Sequence, residues 1–257
     1  IDGGFFSVGI GQNDAATAAA AFATANEITL DDVTVNVSEN AIIGGNGETY
    51  SGWVGSAYSA DKTQHTYTLN VTNSLAAFGY MHVSKDGIMN INGRSDEDNR
   101  YTYDNANVNF YAGDLIVNGN VTINNADAWV RYTKMSVDHA DGVLNITGDT
   151  NYESSIHNGS TTGTSLVFYN AGKVNIDATS NVEIDNKTTL VEGAELNIAS
   201  ANVIAKGDVD VTGNGAINFT ALTAKLTAQD GLTIVDKVND PDYAIAYLDG
   251  TYQYAKY

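Results

Sequence analysis

The densest grouping of chemistry-bearing side chains in this sequence is Arg131, Lys134, Asp138, His139 and Asp141, which sets one of three arginines beside a histidine and two carboxylates. Cleavage of acidic glycans needs such a set: basic groups to hold substrate carboxylates and an acid or base to move a proton. Only 12 Lys and Arg serve all 257 residues, too few to line a uronate groove. The expectation is therefore a chain that is not an enzyme, with a polysaccharide lyase or hydrolase as the alternative. A second grouping, Asp96, Glu97, Asp98 and Asn99 between Arg94 and Arg100, offers the hard oxygen ligands that Ca²⁺ takes, although a solvated loop with weak surface ion pairs is the plainer reading. Asp149, Asn151 and Glu153 alternate oxygen ligands but lack the glycine and closing Glu of an EF-hand loop. Residues 44–48 read as a turn. His65, His82, His139 and His157 have no zinc-site spacing, and no phosphate loop, dinucleotide fingerprint or Gly-x-Ser-x-Gly elbow occurs.

Whatever these residues do, strands must position them. One Pro, 25 Gly and abundant Asn, Thr and Asp leave little that favours long helices. The one helix-permissive stretch is the Ala-rich segment Asp14 to Asn26, which suits equally a short helix capped by Asp14 or a tightly packed irregular cap. There is no Cys, which excludes disulfides, thiolate metal sites and cysteine nucleophiles. The net charge of −19 gives the electrostatic attraction that drives nucleic-acid binding the wrong sign, and makes an anionic membrane a poor partner. No run of about 18 uncharged apolar residues is present to span a bilayer. The sequence opens at Ile1 without a basic or apolar leader, which reads as a processed chain or a piece of a longer one.

From Met81 to Val235 one phrase keeps returning, an apolar residue, then Asn or Thr, then an apolar residue. It occurs at residues 89–91, 121–123, 144–146, 174–176, 196–198 and 217–219. Alternation makes each phrase a strand with its middle residue outward. The steps between the last apolar residues (Ile91, Ile123, Ile146, Ile176, Ile198, Phe219) are 32, 23, 30, 22 and 21. Three of them agree near 22, and the two longer ones read as inserted loops. A glycine stands upstream of each phrase (Gly87, Gly119, Gly142, Gly172, Gly193, Gly215), consistent with a turn that needs positive φ. Two further short apolar segments follow each phrase in the later half, such as residues 182–184 and 190–191. Three strands per 21 to 23 residues describe one coil of a parallel β-solenoid, with Ile146, Ile176, Ile198 and Phe219 stacked in one column and the Asn/Thr row forming an amide ladder. A β-sandwich is the competing fold, but it has no reason to repeat one phrase at coil length.

The predicted class is thus all-β, a parallel β-solenoid (β-helix) of about 22 residues per coil over 81–238. Residues 1–80 form a β-rich N-terminal cap or small domain. The only proline, Pro241, marks the boundary to a hairpin over 239–257, turning at Asp249-Gly250. Pairing outward from that turn puts Tyr243, Ile245, Tyr247, Tyr252 and Tyr254 on one face, which must cap its own coils or dock on a neighbouring subunit. Seven Asn-x-Ser/Thr sequons (Asn36, Asn70, Asn120, Asn145, Asn158, Asn186, Asn218) are about what this composition yields by chance.

The stretch Gly172 to Ile234, with its short Val-Asn-Ile, Leu-Asn-Ile and Val-Asp-Val phrases, resembles the repetitive β-helical passengers of bacterial surface proteins, the autotransporter and filamentous-haemagglutinin-like adhesins. Surface-layer or filament subunits are a close competitor, because the chain is short and ends in a Tyr-rich hairpin. The resemblance implies an extracellular, cell-surface rod and supplies no functional residue. The expected function is a structural protein, adhesive or self-assembling, whose partner is itself or a host-surface glycan or protein, with no nucleic acid and no membrane insertion. A glycan-binding module is the alternative. An acidic surface of this kind would pack only when cations screen or bridge it, so Ca²⁺-dependent assembly is expected.

Overall fold

A computed structural model of the chain describes residues 5–8, 33–37, 40–43, 66–78, 81–83, 85–93, 108–111, 114–131, 134–137, 139–154, 165–168, 172–185, 187–191, 193–211, 215–229, 232–234, 243–248 and 251–256. Among them there are strands and turns and no helix. The Asp14–Asn26 segment lies outside the described residues.

The strands fall into three parallel ladders. The first contains β2 (Val33–Val37), the start of β4 (Tyr67–Phe78), β6 (Gly87–Gly93), β9 (Asn120–Asn124), β12 (Val143–Gly148), β15 (Lys173–Ala178), β18 (Glu195–Ile198) and β21 (Ala216–Phe219). The second contains β1 (Phe5–Val8), β3 (Asn40–Ile43), the end of β4, β7 (Val108–Tyr111), β10 (Asp127–Arg131), β13 (Asn151–Ser154), β16 (Val182–Ile184), β19 (Val203–Ala205) and β22 (Leu226–Ala228). The third contains β5 (Met81–Val83), β8 (Asp114–Val117), β11 (Lys134–Val137), β14 (Ser165–Phe168), β17 (Lys187–Leu190), β20 (Val209–Val211) and β23 (Leu232–Ile234). From β6 to β23 the chain visits the ladders in the same order, so each strand pairs with the one three places on. β4 runs through two ladders: its first half pairs with β2 and β6, its second with β3 and β7. Residues 33–78 therefore contribute strands to the same ladders as the chain beyond Met81.

Sequence alternation becomes burial directly. In β12 and β15 the alternate positions Leu144, Ile146, Val174 and Ile176 are buried, while Asn145 and Asn175 between them are half-buried on the outer side. Register sets Val37, Val71, Ile91, Ile123, Ile146, Ile176, Ile198 and Phe219 in one column, each opposite the next. The inward residues of all three ladders share one core, to which the first contributes Ile146, the second Tyr152 and the third Val137. Burying an aliphatic side chain of this size stabilises by about 1.5–3 kcal/mol. The two long steps in the spacing fall at 94–107 and 155–164, between β6 and β7 and between β13 and β14, and the register resumes in phase on either side.

The glycines before the first-ladder strands serve a different purpose from the one expected. Only Gly148 and Gly193 among the described glycines have positive φ. A Cβ on Gly142, Gly172 or Gly215 would lie 2.6 Å from Val117 O, 2.3 Å from Val137 O and 2.8 Å from Leu190 O, respectively. Each of these carbonyls ends a third-ladder strand in the preceding circuit, so the glycine is required by close approach of two backbones. The register puts Gly87, Gly119, Gly142, Gly172, Ala194 and Gly215 in one column. Gly193 stands one residue off it, with φ of 78°.

Gly87 is a variant of the same theme. A Cβ there would meet the Tyr67 ring at 2.5 Å, because that ring packs over the glycine on the neighbouring strand. Tyr67 is buried and its hydroxyl has no partner among the described residues. Tyr67→Phe should therefore leave stability at neutral pH unchanged or raise it by about 1 kcal/mol. Burial holds the Tyr67 phenol well above its ordinary pKa. Its contribution is then complete below about pH 10, where the unfolded phenol titrates, and falls as pH rises beyond. Urea denaturation at about pH 7 and about pH 10.5 checks both points, and the variant should lose less stability on the alkaline side. A loss above about 1 kcal/mol at neutral pH would mean that the hydroxyl has a partner.

The C-terminal hairpin has β24 (Tyr243–Leu248) antiparallel to β25 (Thr251–Lys256), with Tyr247 opposite Tyr252 and Ile245 opposite Tyr254. β25 joins the end of the second ladder antiparallel to β22 through Ala228 and Tyr252.

Candidate functional site

Among the described residues, the outward positions of the first ladder form a continuous polar row. Because each strand pairs in register with the next, the middle residues Asn36, Asn70, Asn90, Thr122, Asn145, Asn175, Asn197 and Asn218 form a row. Their amides join head to tail. The Nδ2 of Asn70 donates to Asn36 Oδ1 at 2.8 Å, and that of Asn90 to Asn70 Oδ1 at 2.9 Å. Asn175 donates to Asn145 at 2.8 Å, Asn197 to Asn175 at 2.9 Å, and Asn218 to Asn197 at 2.8 Å. The hydroxyl of Thr122 interrupts the series, and Asn145 reaches both Thr122 Oγ1 at 3.3 Å and Asn120 Oδ1 at 3.2 Å. From Asn70 onward each amide of the row donates toward the earlier strand, so the ladder has one polarity. A shorter row beside it links Asn124 to Asn92 at 2.7 Å and Thr147 to Asn124 at 3.0 Å.

On sequence alone this row starts at Asn90. Asn36 and Asn70 enter there only as glycosylation sequons, although Val35 and Val37 flank the first and Leu69 and Val71 the second in the same apolar, Asn, apolar phrase. That flanking pattern was the available signal.

The ion pairs also bridge neighbouring strands. Lys173 meets its register partner Glu195 at 3.5 Å. Lys187 pairs with Asp210, and this hydrogen bond is the main cause that raises the lysine's pKa. Lys206 holds Glu183 at 2.6 Å and Asp185 at 3.0 Å, and these two hydrogen bonds, Glu183 first, lift its pKa. At the turn between the first and second ladders, the buried Ser200 hydroxyl stands 2.7 Å from both the Ala178 N–H, which it accepts, and the Ala178 carbonyl, to which it donates.

The catalytic grouping does not come together as one site. Arg131 ends β10 and Lys134 begins β11, opposite Tyr111 and Asp114 respectively, whereas His139 and Asp141 lie beyond the other end of β11. Asp138 lies outside the described residues. His139 Nδ1 accepts the Asp141 N–H at 3.1 Å, and the Asp141 carboxylate takes Lys85 at 3.3 Å, a partner at which the spacing does not hint. Lys85 and Asp141 are exposed and His139 is half-buried.

Asp96, Glu97, Asp98 and Asn99 lie outside the described residues, as do residues 44–48, His65 and His157. Asp149, Asn151 and Glu153 alternate outward on either side of buried Thr150 and Tyr152. Asp149 accepts the Ser180 hydroxyl and Asn151 donates to Asp127 at 2.9 Å, so two of the three are spent on neighbouring strands. Among the described residues no cluster of three or more His, Asp and Glu could hold a metal ion, and no helix is long and apolar enough to cross a membrane. The backbone of the Tyr-rich hairpin is described, and its register sets Tyr243, Ile245, Tyr247, Tyr252 and Tyr254 at the pairing positions expected from its turn.

No family model, no curated protein and no solved structure matches this chain.

Proposed function

We propose that the chain is an extracellular structural protein, a parallel β-solenoid of about 22 residues per coil that serves as an adhesive or self-assembling rod, such as a surface-layer or filament subunit. The observation that carries this reading is the pair of unbroken columns, apolar inside and polar outside, running through eight successive first-ladder strands. Where no long insertion intervenes, paired residues are 20 to 24 apart, as in Tyr67 with Gly87, Asp127 with Asn151 and Lys173 with Glu195. That architecture spends its outward polar groups on holding coil to coil, which suits a load-bearing element. Its partner is another copy of itself or a host-surface glycan or protein, and its place is the cell surface. The net charge of −19 opposes end-to-end joining until cations screen or bridge it, and Ca²⁺ is the cation proposed.

Negative-stain microscopy of the purified protein with calcium and with chelator tests the reading. Rods with an axial length of roughly 40 Å, from eight coils at about 4.8 Å each, are expected, joining end to end with calcium and separating with chelator. Single rods under both conditions would favour the adhesive role over the assembling one. Compact particles with no long axis would overturn the proposal.

A further inference from the structure

In a chain of net charge −19, one stretch of solvent-facing sheet carries no charge. On β2, the first half of β4, β6, β9 and β12, every outward position of the first ladder is Asn, Thr, Ile or Val, and the first charged ones are Lys173 and Asp177 on β15. These five strands cover roughly 20 Å along the ladder at about 4.8 Å per strand. Charged side chains belong on such a face by preference, so their absence from five successive strands is not a requirement of the coil.

The amide ladder breaks within this neutral stretch. Asn90 donates to Asn70 at 2.9 Å, but no group among the described residues donates to Asn90 Oδ1, because Thr122, next in the row, turns its hydroxyl to Asn120 Oδ1 at 3.4 Å. Asn120 also accepts the Asn145 amide at 3.2 Å, and its own Nδ2 has no acceptor among the described residues. The break thus leaves an acceptor on β6 and a donor on the adjoining β9. Asn90 is half-buried and Asn120 exposed, and Ile88, the register partner of Asn120, is 40% exposed beside them. The surrounding polar groups are fixed: Asn124 donates to Asn92 at 2.7 Å and Thr147 to Asn124 at 3.0 Å. A ligand therefore meets side chains whose ordering cost is already met by the fold.

We infer that this face binds a neutral, extended polysaccharide, centred on the break between Asn90 and Asn120. A sugar hydroxyl is both donor and acceptor, so neighbouring ring hydroxyls donate to Asn90 Oδ1 and accept from Asn120 Nδ2, while the C–H face of the ring covers Ile88. Charge selects the class of glycan. A uronate or sulfated polymer is repelled by the net charge of −19, and an amino-sugar polymer finds no carboxylate on these strands. The inference deepens the adhesive reading, on which it rests, by naming the class of glycan and the face that holds it.

Calorimetric titration of the full chain with cellohexaose, a glucosamine hexamer and a galacturonate hexamer tests it. Saturable binding is expected for cellohexaose alone, unchanged by added salt. Asn120→Asp keeps both accepted hydrogen bonds and loses only the open donor, and it should weaken binding at least about fivefold, as should Ile88→Ala. Both positions are exposed, so the fold tolerates the changes. Thr220→Asp places the same charge at an exposed position past β21, outside the neutral stretch, and should bind as the wild type does. Absence of saturable cellohexaose binding, unchanged affinity in Asn120→Asp, equal weakening in Thr220→Asp, or galacturonate binding as tight as cellohexaose would each overturn the inference. Rods seen by microscopy without cellohexaose binding would sink this site and leave the structural role standing, whereas compact particles that bind cellohexaose with this variant pattern would do the reverse.

Discussion

Gly172→Ala is expected to destabilise the fold by about 3 kcal/mol, a large share of the total for a domain of this size. The added methyl would sit 2.3 Å from Val137 O and 2.7 Å from Val137 Cγ1. A flexible side chain could swing away from such a contact, but a carbonyl at the end of β11 can move only by separating the two circuits. The same movement would strain the Lys173 N–H bond to Gly142 O, which is 2.9 Å long. Denaturant unfolding of the wild type, Gly172→Ala and Ala194→Gly measures the effect. Ala194 occupies the equivalent place in the next circuit and is fully buried as alanine, so Ala194→Gly should cost only about 1 kcal/mol, from chain entropy and lost packing. If Gly172→Ala unfolds within about 0.5 kcal/mol of the wild type, the backbones are not in contact there.

The second large effect belongs to the amide ladder. Asn197→Asp at neutral pH should cost about 2 kcal/mol, more than Asn197→Ala at about 1 kcal/mol. Asn197 both accepts from Asn218 at 2.8 Å and donates to Asn175 at 2.9 Å. A carboxylate keeps the first role and loses the second, and it then faces the Asn175 carbonyl oxygen without a proton between them. It would also lie near Glu195, whose Oε2 is 3.5 Å from the present Nδ2. Flipping Asn175 does not repair this, because Asn175 already donates to Asn145 at 2.8 Å and the reversal would have to pass along the row to Thr122.

Protonation restores a donor, so the folded variant should hold the proton on the introduced carboxyl more tightly than the unfolded chain does. That raises the folded pKa. The stability of the variant is then fully recovered below the unfolded aspartate value and lost as pH rises through the folded one. Thermal melts of variant and wild type from about pH 3 to about pH 8 should converge at the acid end. A gap that is constant across that range would show that residue 197 is not held in the ladder.

How much of this was legible in the residues depends on how local each feature is. The alternation around Asn145, Asn175 and Asn197 is local, and it predicts both the buried column and the outward row. The regular return of the strands was also legible, because insertions at 94–107 and 155–164 lengthen a step without shifting the phase of the strands beyond them. The hairpin register comes from Asp249-Gly250, since a two-residue turn sets every pair beyond it.

The glycines are a different matter. Their recurrence is visible in the sequence, and positive φ is its expected cause, because a turn is the usual reason to find glycine before a strand. What excludes a side chain at Gly172 is a carbonyl 35 positions earlier, and no local pattern announces such a contact. Lys85 and Asp141 are likewise far apart in sequence, with each flanked by ordinary turn residues. The pairing of Trp129 on β10 with Glu153 on β13 shows the same limit. Trp129 and Glu153 are 24 residues apart and carry no motif between them, and they become neighbours only through the pairing of β10 with β13.

What the residues determined by themselves was the class of element, the inward and outward sides of each strand and the rhythm at which strands return. All three come from alternation, turn chemistry and the burial of apolar area, which act over a few residues at a time. Only the tertiary structure decided which side chains of successive circuits lie against each other, and hence why Gly172 admits no methyl group, which way the amides point and which carboxylates find a lysine. Those outcomes depend on stacking register, which places residues some 20 to 35 apart in sequence about 4.8 Å apart in space.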